Sequence, residues 1–212
     1  MKPNSFDDRY NEQVKDYYRN IEDYDWVEVT DNWKGPESII HKNREWTIKK
    51  LIKKYGQGKF LDVGCGAGLI LRHLPRGSQA IDINPRNIAR VKKYVPDAKV
   101  TLGDAEDLPY QDEQFDTVIC TETLEHLVRP DRALSEIQRV LKTNGALIGS
   151  VPRLSIIWRF RWLSSTHPHD EPFHNEYRKE ELSNLLEIFP KNKIWKSLGR
   201  ASFIFIAHKN DS

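Results

Sequence analysis

Residues 59–74 read KFLDVGCGAGLILRHL, a short apolar run that ends in a glycine-rich turn. The run predicts a buried strand, and the segment 68–74 after the turn is predicted to be helical. Gly64, Gly66 and Gly68 stand where a backbone must turn tightly and where a ligand could approach without meeting a Cβ. In open parallel sheets, ligands bind beyond the carboxyl ends of the strands, next to turns of this kind.

The spacing of these glycines narrows the class of ligand. They give G-x-G-x-G, whereas the dinucleotide fingerprint is G-x-G-x-x-G, and no Gly-Lys-Ser/Thr ending marks a phosphate loop. Asp62 also places a carboxylate at the end of the first strand, where it would repel a phosphate and attract a cation. The turn therefore predicts a positively charged or amino-bearing cofactor.

The remainder of the chain alternates short apolar runs with helical patterns. Runs at 79–84, 98–104, 115–120 and 145–152 are predicted strands, and helices are predicted over 85–94 and over 131–142, which Asn144-Gly145 would end. Such alternation predicts an α/β fold with a parallel sheet covered on both faces. Two further runs, 194–198 and 202–207, flank Gly199 and predict a C-terminal antiparallel hairpin. The prediction is a Rossmann-like, mostly parallel seven-stranded sheet.

The N-terminal third is predicted to be helical. Residues 1–35 predict one or two short helices that form an N-terminal helical cap, and Pro36 is well placed to open a helix over 37–55. That longer helix is expected to turn one apolar face to the core, formed by Ile39, Ile40, Trp46, Ile48, Leu51 and Ile52. The N-terminal helices could cover the cofactor or pair with a second copy in a homodimer, and the sequence does not choose.

Length and composition predict a single domain over 1–212. The chain has 33 basic and 31 acidic residues and a net charge of +2, which argues against nucleic acid as the main partner. Cys65 and Cys120 form no CxxC pair and are expected to be reduced thiols of a cytoplasmic protein. The N-terminus lacks the apolar core of a secretory signal, and no apolar run is long enough to span a membrane.

The segment LDVGCGAG resembles the first motif of the class I S-adenosylmethionine-dependent methyltransferases, and later segments resemble that family in order and spacing. The resemblance implies S-adenosylmethionine as the cofactor. It implies that Asp82, after the second strand, binds the ribose hydroxyls and that Asp104, after the third, faces the adenine. The cofactor-binding residues that follow from it are Asp62, Gly64, Cys65, Gly66, Gly68, Asp82, Ile83, Asp104, Ala105 and Thr121.

Several of these residues also have simpler interpretations. Asp82 could be an acidic residue at the start of a helix, and Asp104 could form an Asx turn. Ile83 could stack on adenine or belong to the core, and Cys65 is expected to fill space without chemistry.

The segment after the fourth strand, TETLEHL, carries the candidate catalytic residues. Glu122, Glu125 and His126 are predicted to lie on the start of a helix. The trio resembles one in the ubiquinone-biosynthesis O-methyltransferases that can hold a divalent ion near a catechol-like acceptor. The alternatives are that Glu125 and His126 hold the start of the helix and the methionine end of the cofactor, or that His126 is a general base.

Residues 152–177 are predicted to form a lid on the acceptor side. The part DEPFHNEYRKEEL is similar to a loop that closes over the site in related small-molecule methyltransferases, which implies that His174, a second catalytic candidate, and Tyr177 line the pocket. Aromatic and basic residues alternate over 153–162, where Trp158 and Trp162 could pack on the core, bind a small acceptor or stack on bases. The clustered His167, His169 and Asp170 do not have zinc-site spacing.

Together these observations predict an enzyme that transfers a methyl group from S-adenosylmethionine to a small-molecule acceptor by in-line displacement at oxygen or nitrogen. The alternative is an RNA or protein methyltransferase that binds its macromolecule through 153–162.

Overall fold

The computed structural model describes residues 8–22, 25–32, 37–153, 172–197 and 201–209. Its helices, in chain order, are α1 (Asp8–Asn20), α2 (Trp26–Asp31), α3 (Glu37–Tyr55), α4 (Pro85–Tyr94), α5 (Pro130–Val140) and α6 (Lys179–Leu185). Its strands are β1 (Phe60–Val63), β2 (Gln79–Asp82), β3 (Lys99–Leu102), β4 (Phe115–Thr121), β5 (Leu141–Pro152), β6 (Lys191–Lys196) and β7 (Ser202–His208). Short 3₁₀ turns lie at Leu71–His73, Leu124–His126 and Leu186–Ile188.

The strands form one seven-stranded sheet in the order β3-β2-β1-β4-β5-β7-β6. Strands β1 to β5 pair in parallel, and β7 pairs antiparallel with both β5 and β6. The strand order reverses between β1 and β4, so the carboxyl ends of these two strands mark the place where open α/β sheets bind ligands. The predicted fold class and the antiparallel C-terminal hairpin are confirmed, while the predicted turn at Gly199 lies outside the described residues.

Burial along the strands follows from their place in the sheet. All four residues of β1 are buried because it is a central strand covered on both faces. The outer strands β3 and β6 keep exposed residues, and the lysines of β6 suit an edge that must not pair with another chain. The position of β1 therefore holds the glycine-rich turn that follows it on a rigid base.

Helix α3 agrees with its predicted bounds from residue 37 onward, but the predicted apolar face is only partly correct. Ile48, Leu51 and Ile52 are buried against one face of the sheet. Ile39 and Trp46 are 60% and 54% exposed, and Lys50 Nζ lies 3.5 Å from the centroid of the Trp46 ring. Apolar residues scattered over a long helix thus do not all reach the core.

The helix predicted over 68–74 is wrong, since only the 3₁₀ turn Leu71–His73 forms there. Gly68 has a φ of +94°, which an α-helix does not accommodate. Pro75 disfavours the helical conformation of Leu74, whose φ and ψ of −83° and 161° are extended. The chain therefore leaves the glycine turn as a compact loop.

The stop signal Asn144-Gly145 does not end helix α5. The helix ends at Val140, and strand β5 begins at Leu141, so the pair lies inside the strand segment. Asn144 has a φ of +63° there, which asparagine tolerates better than most residues. The pair marks an irregularity in β5 near the register shift against β4.

Within the described residues, no helix is long and apolar enough to cross a membrane.

The central strands leave no room for a side chain at Gly149. A Cβ there would lie 2.3 Å from Cζ of Phe205 and 2.6 Å from the carbonyl oxygen of Cys120. We expect Gly149→Ala to lower the free energy of unfolding by about 1–3 kcal/mol through overpacking, measured by chemical denaturation. Gly77→Asn is the control, because open space surrounds Gly77 and its φ of +81° is one that asparagine tolerates. Equal losses in both variants would contradict this account.

Candidate functional site

The glycine-rich turn lies at the carboxyl end of β1. Gly64, Gly66 and Gly68 all have positive φ, at 69°, 53° and 94°. A Cβ on Gly64 would lie 2.3 Å from Oγ1 of Thr123, so the turn packs closely on the residues after β4. A Cβ on Gly66 would meet no atom within 4 Å. The backbone of Gly66 therefore borders open space that a ligand can enter.

Asp82 joins this turn to the one after β2. One of its carboxylate oxygens accepts a 2.8 Å hydrogen bond from the N–H of Gly66, and the other accepts bonds from the N–H of Asn84 and from Nδ2 of Asn87 at 2.9 and 3.2 Å. Burial raises the pKa of Asp82, against these hydrogen bonds, which lower it. Ile83, next in the chain, is half-buried.

Asp62, together with Glu125, is one of the two most deeply buried acidic groups of the site. It is 1% exposed, and its Oδ2 has no hydrogen-bond partner among the described residues. Burial and the nearby charge of Asp82 raise the pKa of Asp62 to about 8. A cation placed beside this carboxyl would favour its ionised form. Asp62 thus provides a buried site for positive charge.

Cys65 and Thr121 occupy structural positions in the same region. Cys65 is buried, and burial raises the pKa of its thiol well above the ordinary value, so the thiol stays protonated. Thr121 is the last residue of β4, and its carbonyl oxygen accepts a 3.2 Å hydrogen bond from the hydroxyl of Thr123. Cys65 lies within the glycine turn but offers no reactive thiolate, and Thr121 is two residues before Thr123, which packs on the turn.

Asp104, after β3, contacts helix α1. Its Oδ1 accepts a 2.8 Å hydrogen bond from the N–H of Glu106, and its Oδ2 lies 2.7 Å from Nζ of Lys15. Lys15 also pairs with the buried Glu106 at 2.9 Å. Burial is the largest single influence on the pKa of Lys15 and lowers it, but the two carboxylates together raise it above the ordinary value. Ala105, between the two acids, packs against the core.

Other contacts hold α1 across the carboxyl edge of the sheet. Asn11 donates a 2.9 Å hydrogen bond to Glu106, and Asn84 donates from Nδ2 to the carbonyl oxygens of Tyr18 and Ile21. The sequence motifs did not identify Lys15 and Asn11 as residues of the site. Their spacing of four residues on an amphipathic helix was the available signal, but it does not identify the surface that the helix covers.

His126 and His174 come together with Glu125 at the end of β4. One potential ligand atom from each of these three side chains lies within 4.8 Å of those of the other two. The rings of His126 and His174 have centroids 5.3 Å apart, and Nε2 of His126 lies 3.9 Å from Oε1 of Glu125. Such a group can take up a proton or approach an ion.

The predicted trio of Glu122, Glu125 and His126 is not assembled. Glu122 has a φ of +52°, and no helix starts there, because only a 3₁₀ turn covers Leu124–His126. The carboxylate of Glu122 instead accepts hydrogen bonds from Ser150 at 2.8 Å and from Arg44 at 2.9 Å. Among the residues with described coordinates, His174 takes the place that the sequence assigned to Glu122.

The described end of the predicted lid donates hydrogen bonds to backbone carbonyls of the 3₁₀ turn Leu124–His126, which carries two members of this cluster. The N–H of Asn175 donates to the carbonyl oxygen of Glu125 at 2.7 Å, and the hydroxyl of Tyr177 donates to that of Leu124 at 3.0 Å. Tyr177 is 2% exposed, and its hydroxyl bond anchors the described end of the loop. Trp158, Trp162, His167, His169 and Asp170 lie outside the described residues.

Comparison with known proteins agrees with this geometry. Residues 61–149 match the family model of the methyltransferase domain. A ubiquinone biosynthesis O-methyltransferase from Cereibacter sphaeroides is 32% identical over 51% of this chain and 51% of its own length. Methyltransferase GfsG from Streptomyces halstedii is 30% identical over 66% of this chain and 58% of its own length. The chain spans less than two thirds of the length of the curated relatives it matches.

Solved structures share the fold. A methyltransferase from Thermotoga maritima, described as a possible histamine N-methyltransferase, superposes with a TM-score of 0.68 at 21% identity, over 87% of this chain and 100% of that one. A protein from Pyrococcus horikoshii gives a TM-score of 0.65 at 21% identity, over 97% and 100% of the two chains.

The buried carboxyl of Asp62 makes a prediction about stability and pH. Its pKa is about 8 in the folded protein and near 4 when unfolded, so the folded state holds the extra proton and its stability falls as the pH rises between these values. Asp62→Asn removes this loss. We expect the melting temperature of the variant, relative to the parent, to rise between pH 5 and about pH 8 and to level off above that pH.

Asp116→Asn is the matched control, with the opposite sign. Burial raises the pKa of Asp116, but the hydrogen bonds from Lys142 and from the N–H of Lys59 together lower it below its ordinary value. Its stabilising contribution is therefore complete above the unfolded pKa and is lost only in acid. The penalty of this variant should be constant from pH 5 to pH 9. A constant difference for Asp62→Asn as well would contradict the raised pKa.

Proposed function

We propose that this chain, which belongs to the class I S-adenosylmethionine-dependent methyltransferases, methylates a small-molecule acceptor. One observation carries the proposal. The family match over 61–149 contains every predicted cofactor-binding residue from Asp62 to Thr121, and the fold gathers these residues at the carboxyl edge of β1 to β4. S-adenosylmethionine supplies a methyl group made electrophilic by its positively charged sulfur.

Two features of the site fit that cofactor. The carboxylate oxygen of Asp62 that has no hydrogen-bond partner among the described residues suits a ligand that carries positive charge, and the open space at Gly66 admits a ligand against the backbone. In the proposal, Asp62 and the turn Gly64–Gly68 hold the cationic methionine end. Asp82 binds the ribose hydroxyls.

The remaining cofactor contacts concern the adenine and the covering helix. Ile83, Asp104 and Ala105 would border the adenine, and Thr121 would lie beside the sulfur at the end of β4. Helix α1 would act as the proposed cap, since Lys15 already forms ion pairs with Asp104 and Glu106. We propose that 1–35 and 152–177 are the cap and the acceptor-side lid of a single domain.

His126 and His174 are the proposed catalytic residues. Methylation of a hydroxyl or a protonated amine requires that the acceptor lose a proton. In the proposal, the acceptor lies between the cofactor and the cluster of Glu125, His126 and His174, and a neutral imidazole of this cluster takes the proton. The acceptor atom then forms its bond to the methyl carbon as the bond from carbon to sulfur breaks, and the imidazolium returns its proton to water.

A small-molecule acceptor is supported by the names of the relatives. These include ubiquinone biosynthesis O-methyltransferase, a hydroquinone methyltransferase of spinach and a possible histamine N-methyltransferase, all named for small acceptors. The alternative of an RNA or protein acceptor depended on 153–162, of which only Arg153 is described. Arg153 packs over the ring of Phe203 at 5.7 Å. No observation at the described residues favours a macromolecular acceptor.

Cofactor binding can be tested at Asp82. We expect Asp82→Asn to weaken the affinity for S-adenosylmethionine by about 10- to 100-fold, because the ribose hydroxyls would lose a charged acceptor. Isothermal titration calorimetry measures the affinity, and thermal unfolding checks that the variant is folded. Asp97→Asn, at an exposed aspartate paired with Arg76, is the control. Unchanged affinity in a folded Asp82→Asn protein would refute the assigned role.

The reaction itself can be tested with radiolabelled S-adenosylmethionine and fractionated, desalted cell extract. We expect label in the small-molecule fraction, and a fall of about 10²- to 10⁴-fold in kcat for His126→Ala because a proton-transfer group is lost. Binding of S-adenosylmethionine should be retained in this variant. Label in RNA or protein would instead establish the alternative acceptor class, and parallel reactions with a chelator would show whether an ion takes part.

A further inference from the structure

Tyr18, on helix α1, makes two hydrogen bonds at the catalytic cluster. Its hydroxyl oxygen lies 2.6 Å from the carbonyl oxygen of Phe173 and 3.0 Å from Nδ1 of His126. The rings of Tyr18 and His126 also pack together, with centroids 4.8 Å apart. A residue far from the matched methyltransferase motifs therefore contacts the proposed base directly.

The directions of these two bonds follow from the number of protons. A carbonyl oxygen can only accept, so the contact of 2.6 Å to Phe173 uses the single hydroxyl proton of Tyr18. The hydroxyl oxygen must then accept from His126, which places a proton on Nδ1. A neutral imidazole carries one ring proton, so Nε2 is unprotonated in this tautomer.

The opposite side of the His126 ring faces Glu125. Nε2 lies 3.9 Å from Oε1 of Glu125. The ring of His174 packs edge-on, with an interplanar angle of 77°. Nε2 therefore points toward the cluster as a potential proton acceptor.

We propose that Tyr18 is a positioning residue that holds His126 in its Nδ1–H tautomer and presents Nε2 to the methyl acceptor. This inference rests on the proposed function, since it concerns the base of that reaction. In the step, Nε2 takes the proton of the acceptor and His126 becomes an imidazolium. The hydroxyl oxygen of Tyr18 continues to accept from Nδ1–H, and that bond strengthens as the ring gains charge. Catalysis then requires α1 to be docked.

The position of Tyr18 is itself fixed from the cofactor side. The carbonyl oxygen of Tyr18 accepts a 3.1 Å hydrogen bond from Nδ2 of Asn84, and the N–H of Asn84 donates to Asp82. Asp82, which is proposed to bind ribose, is therefore connected to His126, the proposed base, through Asn84 and Tyr18. Tyr18 lies at the join between the two halves of the site.

Tyr18→Phe tests the proposal, with Tyr10→Phe as its matched control. Tyr10 lies on the same helix, and its hydroxyl donates to the carbonyl oxygen of Pro172 at 3.0 Å, next to the Phe173 bond. We expect Tyr18→Phe to lower kcat by about 10- to 100-fold, the range seen when a residue that orients a functional histidine is removed. The affinity for S-adenosylmethionine should stay within about twofold. Tyr10→Phe should keep the parent kcat.

Nitrogen NMR of ¹⁵N-histidine-labelled protein gives a second readout that needs neither cofactor nor acceptor. His126→Gln identifies the signals of His126 among the seven histidines. We expect the parent to show a protonated Nδ1 and an unprotonated Nε2, and Tyr18→Phe to show a mixture of tautomers. A chelator is present throughout.

The outcomes separate this inference from the proposed function. An Nε2–H tautomer in the parent, or an unchanged tautomer in Tyr18→Phe, would overturn the inference whatever the reaction is. An equal fall in kcat for Tyr10→Phe and Tyr18→Phe would assign the effect to docking of α1 and would also overturn it. Absence of methyl transfer by the parent would instead refute the proposed function, while the NMR result would still decide the tautomer.

Discussion

The carboxylate of Asp82 is the contact on which the arrangement of the site depends. Through the N–H of Gly66 it fixes the turn after β1, and through Asn84 and Asn87 it fixes the start of α4. Asn84 in turn holds the carbonyl oxygens at the end of α1. One buried acidic group thus sets the relative positions of two loops and a covering helix, which explains why an 8% exposed carboxylate is retained at a cost in desolvation.

Several acidic groups lie at the site, and they differ in how their charge is stabilised. Lys15 forms ion pairs with both Asp104 and Glu106 on the side of β3. Asp62, on the side of β1, has a raised pKa because burial and Asp82 both disfavour its charge. A cationic ligand bound near Asp62 would favour ionisation of its carboxyl, so ligand binding and proton release would be coupled. The carboxylate of Asp62 after the first strand predicted attraction for cations, but its protonated resting state depends on packing.

Local sequence patterns predicted the sheet, whereas contacts between residues far apart in the sequence determine which side chains come together after β4. The runs around Val63, Asp82 and Thr121 were recognisable because a buried strand needs consecutive apolar residues wherever it lies. Glu122 was assigned to the wrong group because its partners, Arg44 and Ser150, come from α3 and β5. Tyr18 and His126 are separated by 108 residues, and no periodicity in either segment indicates that they meet.

Helix α1 therefore belongs to the site as much as the sheet does. A helix with a buried lysine on one turn and Tyr18 on the next could not dock on an apolar surface, since both groups would lose hydrogen bonds to water. It docks here because acids stand at the end of β3 and an imidazole stands at the end of β4. The polar edge of the sheet, which binds ligands in open α/β folds, thus also selects the helix that covers it.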